Sequence, residues 1–232
     1  MRRMAARWGA LGCSLAILAV IYAHIDLASL AARLLRADPL WLGLALACFL
    51  PQVLVTATRW WIMGSGWAHM GWAESFGMVM AGKALNALLP SKLGEMSKAY
   101  FLKQRGQVSM AKGLPAVFME KLLDLAALCS WMLLGATQAP SGSGAVTAAW
   151  VISLGVVGAT ALLLVLPLGR WRGLLEGEGR GLRARLVGIL EGWDSLLAHW
   201  RETPVVLIGI VGLSVLLWGL HLLPIYLFFP SL

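Results

Sequence analysis

Five stretches of this chain are apolar over the length that a helix needs to cross a membrane. A spanning helix requires about 20 mainly apolar residues. Such runs occupy residues 8–25, 40–58, 113–137, 145–168 and 205–229. Of the 232 residues, 59% are hydrophobic and 13% are charged, whereas about 25% of a soluble domain is charged. The sequence therefore predicts an all-α, polytopic integral membrane bundle with about five full spans, forming one domain over residues 1–232.

The positive charges of the predicted loops indicate the orientation of the spans. Cytoplasmic loops carry an excess of Lys and Arg. Three arginines precede residue 8 and six lie between residues 169 and 204, whereas residues 138–144 contain no basic residue. We therefore expect a cytoplasmic N-terminus and a cytoplasmic segment at residues 169–204. The net charge of +8 is attributed to this asymmetry, which attracts anionic lipid, and not to nucleic-acid binding.

Within that cytoplasmic segment, residues 182–200 have an amphipathic helical pattern. Apolar side chains recur along one stripe, which consists of Leu182, Leu186, Ile189, Trp193, Leu196 and Trp200. A helix of this kind buries its apolar stripe against another surface. Two interpretations stay open. The helix lies along the inner leaflet, where its arginines attract anionic headgroups, or it packs on its own bundle.

The segment of residues 73–103 does not fit a simple crossing, because the charge pattern places both of its ends in the cytoplasm. Residues 73–89 can cross once, but residues 94–103 cover only about 15 Å as a helix, about half of the hydrocarbon thickness. Pro90 removes a backbone donor and Gly94 adds backbone freedom, so we expect the helix to break at residues 89–90. The sequence therefore predicts a re-entrant helical pair. Broken backbone at membrane depth survives only where it is buried or lines a wet cavity.

The apolar run at residues 113–137 contains three charges, Glu120, Lys121 and Asp124. Charges inside a span are costly and usually face a partner or a cavity. Glu120 and Asp124 share a helix face, where two carboxylates repel unless a cation lies between them. Lys121 can reach Asp124, and Lys83 or Lys98 is a candidate partner for Glu120. Two interpretations stay open: the charges neutralise one another and cap the broken backbone, or they form a polar groove for a lipid headgroup.

Three short motifs occur in order along the chain: Arg59-Trp60; Asn86, Pro90, Gly94-Glu95 and Lys98; then Glu120-Lys121 and Asp124. Together they resemble the lysylphosphatidylglycerol synthase transmembrane-region family, also called flippase-like domain proteins. The resemblance implies a protein of bacterial or archaeal cytoplasmic membranes that handles or translocates lipids. The family commonly has Arg where this chain has Lys98 and Lys121. Family members usually continue through further spans with a Pro-Gly-Gly-x-Gly-xx-Glu stretch, so we expect a short member, a truncated one, or half of a site that a partner completes.

The predicted substrate-binding site consists of Arg59, Asn86, Pro90, Lys92, Gly94, Glu95, Lys98, Glu120, Lys121 and Asp124. An anionic phospholipid or a polyprenyl-phosphate headgroup would enter from the cytoplasm, and Lys92 and Lys98 would attract its phosphate. Asn86 and Glu95 would satisfy the broken backbone. The charges at positions 120, 121 and 124 would form a relay that reorganises as the headgroup passes.

Other chemistries are not expected. Residues 77–84 match most of a Walker A loop but lack its final Ser or Thr and lie in an apolar helix, so transport should not be driven by ATP hydrolysis in this chain. Cysteines and histidines show no metal-ligand spacing, and we predict no cofactor, no metal and no enzymatic activity. A membrane-embedded transferase with Glu95 or Glu120 as base is a weaker alternative. The main alternative is a non-catalytic membrane subunit that supports a lipid-modifying or envelope-synthesis enzyme, with a protein partner or a second copy.

Overall fold

The computed structural model describes residues 20, 38–88, 94–104, 108–140, 143–166 and 181–228. Regular structure within these ranges is helical, which confirms the predicted all-α class. The helices are α1 (Pro39–Ala47), α2 (Phe49–Gly64), α3 (Trp72–Leu88), α4 (Ser97–Gln104), α5 (Met110–Gln138), α6 (Gly144–Val165), α7 (Leu182–Glu202) and α8 (Pro204–Phe228).

Within the described residues, three helical segments are long and apolar enough to cross a membrane. They are Pro39–Gly64, Gly144–Val165 and Pro204–Leu227, with mean hydropathies of 1.9, 2.2 and 2.4. These segments contain or overlap the predicted runs at 40–58, 145–168 and 205–229, so the protein is an all-α membrane protein. Helix α5 covers the run at 113–137 and has 29 residues, but it carries the three charges. The run at 8–25 lies outside the described residues apart from residue 20, and the total of five spans stays a prediction.

The chain doubles back between α3 and α4. A turn of 3-10 helix at residues 94–96 precedes α4, and Gly94 in this turn lies against the end of α3. A Cβ on Gly94 would lie 2.5 Å from both the backbone N of Asn86 and the backbone O of Gly82. Only glycine permits this approach. The predicted break at residues 89–90, with Pro90 and Lys92, lies outside the described residues, and the depth of the turn in the membrane stays a prediction.

Helix α5 is packed between α4 and α7. On one side, a Cβ on Gly113 would lie 3.3 Å from the Cβ of Ala99 in α4. On the other, a Cβ on Gly192 of α7 would lie 2.7 Å from the Cα of Lys112. The C-terminal part of the α7 stripe is buried, with Trp193 4% and Trp200 1% exposed. The structure therefore shows that Trp193, Leu196 and Trp200 pack on the bundle, whereas Leu186 is 38% exposed.

By proximity, the chain divides into two compact units. The smaller comprises residues 1–46 and 224–232, and the larger comprises residues 47–223. Of the smaller unit, the structure describes residue 20, the start of α1 and the end of α8. The larger unit contains α2 to α7, most of α8 and every described residue of the site below. The single domain over residues 1–232 stays a prediction.

Candidate functional site

Arg59 of α2 lies between two carboxylates of α5. Its Nη2 is 3.1 Å from Oε1 of Glu120, and its Nη1 is 2.6 Å from Oδ1 of Asp124. Nη1 also donates to the hydroxyl of Ser214 in α8 at 2.9 Å. The guanidinium suits this position because its fork of donors can serve two acceptors at once. Arg59 is therefore the cation that the repulsion between Glu120 and Asp124 requires.

Lys98 of α4 forms the second buried part of the network. Its ammonium donates to Oε2 of Glu120 at 2.8 Å and to Oε2 of Glu95 at 2.7 Å. It also lies 5.1 Å from the centroid of the Trp60 ring, a distance at which a cation is attracted to an aromatic face. The predicted contact between Lys98 and Glu120 is confirmed. Glu120, only 1% exposed, accepts from two cations on two different helices.

Lys121 is the next residue along α5, yet its side chain is 47% exposed. Its Nζ lies 3.2 Å from Oε2 of Glu95 and 3.3 Å from Oδ2 of Asp124. The predicted contact with Asp124 is confirmed. Glu95 is therefore shared between a buried lysine, Lys98, and a half-exposed one, Lys121.

The turn between α3 and α4 positions Glu95. The side-chain amide of Asn86 in α3 donates to Oε1 of Glu95 at 2.8 Å, while Lys98 and Lys121 contact Oε2. The close approach of Gly94 to α3 brings the following residue to this point. The structure thus brings together all of the predicted site residues except Pro90 and Lys92, which it does not describe. The roles of all the predicted site residues in binding a substrate stay predictions.

A cavity of about 450 Å³ opens beside the charged network, and we call it the polar cavity. Its charged lining consists of Arg59, Lys83, Glu95, Lys98, Glu120, Lys121 and Asp124. Thr56, Trp218 and His221 add polar groups, and Leu125, Leu128 and Leu217 add apolar ones. No pattern in the sequence indicated the α8 residues, because periodicity does not show which side chains of an apolar span face a cavity.

Lys83 is the unexpected member of this lining. In the described part of the chain, four cations and three carboxylates line the polar cavity. Arg59, Lys98 and Lys121 each contact a carboxylate, whereas Lys83 forms no ion pair with any described residue. Its ammonium lies 5.5 Å from the centroid of the Phe49 ring. Of the two lysines considered as partners for Glu120, Lys83 is therefore not the one that binds it, and the described lining has an excess of one positive charge.

A second cavity of about 480 Å³ lies beside the first, and we call it the apolar cavity. Most of its lining comes from α5 and α7: Leu114, Pro115, Val117, Phe118, Ile189 and Trp193. The rings of Phe118 and Trp193 lie 6.0 Å apart. Met96, Glu95 and Lys121 complete the lining. Glu95 and Lys121 therefore border both cavities.

The chain matches a known protein family over most of its length. The family model described as the lysylphosphatidylglycerol synthase TM region matches residues 7–232. The chain belongs to this family. Membership confirms the resemblance of the three motifs, and together with the candidate spans it is consistent with a membrane protein linked to lipid handling.

One curated protein is similar to this chain over a much shorter stretch. A UPF0104 membrane protein of Methanocaldococcus jannaschii is 36% identical over 52 residues, which cover 22% of this chain and 22% of the relative. The matched segment thus spans about a fifth of the relative's length. No solved structure matches the chain.

Proposed function

We propose that this protein binds the phosphate-bearing headgroup of a membrane lipid in the polar cavity and handles or translocates that lipid across the cytoplasmic membrane without covalent chemistry. The ligand is an anionic phospholipid or a polyprenyl-phosphate-linked lipid. The observation that carries the proposal is the excess positive charge at Lys83. A set of charges that served only to hold helices together would be balanced among its own members.

The charge balance favours an anion over other ligands. Ionisable residues within a membrane protein are expensive and usually mark a substrate path. Lys98 already binds two carboxylates, so we assign the attraction of phosphate to Lys83. A phosphodiester carries one negative charge, which matches the excess of one. The buried Nε of Arg59 has no hydrogen-bond partner among the described residues, and buried donors are normally partnered.

The size of the site suits a headgroup. Binding sites for small molecules commonly measure about 300–1,000 Å³, and the polar cavity has about 450 Å³. Lys83 lies inside α3, within the stretch that resembles a Walker A loop, and this stretch is helical throughout. A phosphate-binding loop presents its backbone N–H groups, whereas a helix interior does not. Lys83 therefore acts on a phosphate through its side chain.

The remaining features of the proposal concern the membrane. We propose a multi-pass protein of the cytoplasmic membrane with its N-terminus in the cytoplasm, as the distribution of basic residues favours. Helices α3 and α4 form a re-entrant pair whose turn carries Glu95 to the cavity. The close packing of Gly94 against α3 supports this arrangement, because backbone that is buried against a helix is not exposed to lipid. The proposed partners are anionic lipids and a membrane protein or a second copy of the chain.

The test compares two lipids that differ in net charge. The full chain, purified in detergent, is titrated with fluorescent phosphatidylglycerol and with phosphatidylcholine of the same chain length. We expect phosphatidylglycerol to bind more tightly. Lys83→Gln should reduce this preference about tenfold, since hydrogen bonds to charged groups contribute about 1.5–3 kcal/mol. The control Lys103→Gln removes an exposed lysine of α4 and should leave the preference unchanged. Equal preference in wild type and Lys83→Gln would refute the anion site.

Translocation is measured separately in vesicles of phosphatidylcholine with a trace of labelled phosphatidylglycerol. Wild-type protein should move the label between leaflets, and Lys83→Gln should do so more slowly. Binding without translocation, together with stable co-purification of a membrane enzyme, would overturn the transport part and support the accessory subunit. Covalent conversion of the labelled lipid would instead overturn the proposal that the protein performs no covalent chemistry.

A further inference from the structure

The polar cavity and the apolar cavity are lined by opposite kinds of side chain and meet at one ion pair. Seven charged residues of the described ranges line the first. The second is lined mainly by aliphatic and aromatic side chains, and its two charged residues are Glu95 and Lys121. Both of these also line the polar cavity. Their contact, 3.2 Å between Nζ of Lys121 and Oε2 of Glu95, therefore lies at the boundary between the two spaces.

The ion pairs of Lys121 with Glu95 and Asp124 are the most exposed of those described around the polar cavity. Lys121 is 47% and Glu95 19% exposed, whereas Arg59, Lys98 and Glu120 are each 3% or less. Lys121 regains water when it leaves Glu95, so little stability is lost with this contact. Each partner also keeps a second contact, Lys121 with Asp124 and Glu95 with Lys98. Separation of Lys121 from Glu95 therefore leaves neither charge without a partner.

We propose that the apolar cavity holds a hydrocarbon chain of the same lipid whose headgroup occupies the polar cavity, and that the pair Glu95–Lys121 is a movable partition between them. This inference rests on the proposed function. A lipid is a charged group joined to an oily chain, and two adjoining cavities of opposite polarity match the two parts. Burial of a polar group without a hydrogen-bond partner is costly, so the lining by Leu114, Phe118, Ile189 and Trp193 suits a hydrocarbon chain and not a second headgroup.

The test locates the chain directly. Purified full-length protein is mixed with phosphatidylglycerol that carries a photoreactive diazirine at the end of one acyl chain, and labelled peptides are mapped by mass spectrometry. We expect labels within residues 114–118 and 189–193. The same probe with a phosphatidylcholine headgroup should label these residues several-fold less. Equal labelling by both headgroups would show a groove that merely faces bulk lipid and would overturn the inference.

Two variants of α5 test whether the cavity itself is responsible. Leu114→Trp fills the apolar cavity and should remove most of the labelling. Leu134→Trp adds the same side chain at an exposed position of the same helix that lines neither cavity, and labelling should be unchanged. Both variants should still bind the water-soluble headgroup glycerophosphoglycerol as wild type does. If Leu114→Trp is labelled as strongly as wild type, the chain lies elsewhere.

A third variant tests the partition. Lys121→Gln removes the ion pair and should let the chain label Leu125 and Leu128, which line the polar cavity and should be unlabelled in wild type. Labels in both cavities of wild type would contradict a partition. The two proposals fail in different ways. If Lys83→Gln loses the preference for phosphatidylglycerol but labels fall outside residues 114–118 and 189–193, the chain site is wrong and the headgroup site stands. If Lys83→Gln changes nothing, the headgroup site is wrong.

Discussion

Glu120 and Lys121 are neighbours in α5, yet their surroundings are opposite. Glu120 is buried between Arg59 and Lys98, and Lys121 is half-exposed beside two carboxylates. Removal of one partner from a buried ion pair leaves an uncompensated charge and costs about 3–5 kcal/mol. An exposed pair contributes about 0–1 kcal/mol. Loss of an ion pair therefore costs much stability at Glu120, whereas the ion pairs of Lys121 can rearrange at little cost.

This difference separates the predicted relay of Glu120, Lys121 and Asp124 into two parts. Glu120 is held by cations from α2 and α4, so its movement would disturb three helices. Lys121 can leave Glu95 and keep Asp124. We therefore expect the reorganisation around a passing headgroup to involve Lys121 and Glu95, while Arg59, Lys98 and Glu120 keep their positions.

The largest effect is expected for Glu120→Gln. The substitution preserves shape but removes the carboxylate that accepts from both Arg59 and Lys98. A hydrogen bond to a charged group contributes about 1.5–3 kcal/mol, so loss of two should lower the free energy of unfolding by about 3–5 kcal/mol. Unfolding in mixed micelles by titration with sodium dodecyl sulfate measures this, and loss of the monodisperse peak in size-exclusion chromatography is the readout if the protein does not survive. Glu202→Gln, at an exposed position of α7, is the control. A loss below about 1 kcal/mol would show that Glu120 is no more structural than Lys121.

Arg59→Lys tests whether geometry, and not charge alone, holds the buried part together. Two separate nitrogens of Arg59 serve Glu120 and Asp124, and a single ammonium at the end of a lysine cannot reproduce this fork. The free energy of unfolding should fall by about 1.5–3 kcal/mol, the contribution of a charged hydrogen bond. Arg183→Lys, at an exposed position of α7, should be neutral in the same titration. Equal stability of Arg59→Lys and wild type would contradict the assigned contacts.

Gly94→Ala tests the turn that places Glu95 in contact with both the buried Lys98 and the half-exposed Lys121. The added methyl would lie 2.5 Å from backbone atoms of α3, so the turn must move, at a cost of about 1–3 kcal/mol. Gly77→Ala in α3 is the matched control, since nothing lies within 4 Å of its added Cβ. That variant should be as stable as wild type or more so, because alanine favours a helix over glycine by about 0.5–1 kcal/mol. Equal stability of Gly94→Ala and Gly77→Ala would refute the close approach of Gly94 to α3.

The smallest effect on stability is expected for Lys121→Gln. Its ion pairs are half-exposed, so the free energy of unfolding should change by at most about 1 kcal/mol. Binding of phosphatidylglycerol should nevertheless change, because the partition between the cavities is lost. The informative quantity is the ratio of the effect on binding to the effect on stability, which should be high here and low for Glu120→Gln. A large loss of stability in Lys121→Gln would contradict the proposed difference between Glu120 and Lys121.

Local spacing in the sequence predicted part of this site. Four-residue spacing placed Glu120 and Asp124 on one face, and their repulsion required a cation. The spacing of three predicted the contact of Lys121 with Asp124. These predictions succeed because helix geometry fixes which neighbours share a face. Apolar runs likewise predicted the membrane class, since their length is set by the bilayer.

Other features depended on the packing of distant segments. Arg59 is separated from Asp124 by 65 residues, and no local rule connects them. The excess charge at Lys83 became visible only when the partners of the other three cations were known. The α7 stripe has the same pattern whether it meets lipid or protein, because periodicity reveals an apolar face but not the surface that covers it.

The close glycine contacts at the start of α5 have a consequence for movement. Gly113 against Ala99 and Gly192 against Lys112 leave no room for side chains that could slide past each other. A twist of α5 by one residue, about 100°, would also carry Glu120 outward and bring Lys121 inward, breaking the ion pairs of Glu120 with Arg59 and Lys98. Helix α5 is thus held in register with α4 and α7. Under the proposed function, the motions that admit or release a lipid are therefore expected in other helices of the bundle.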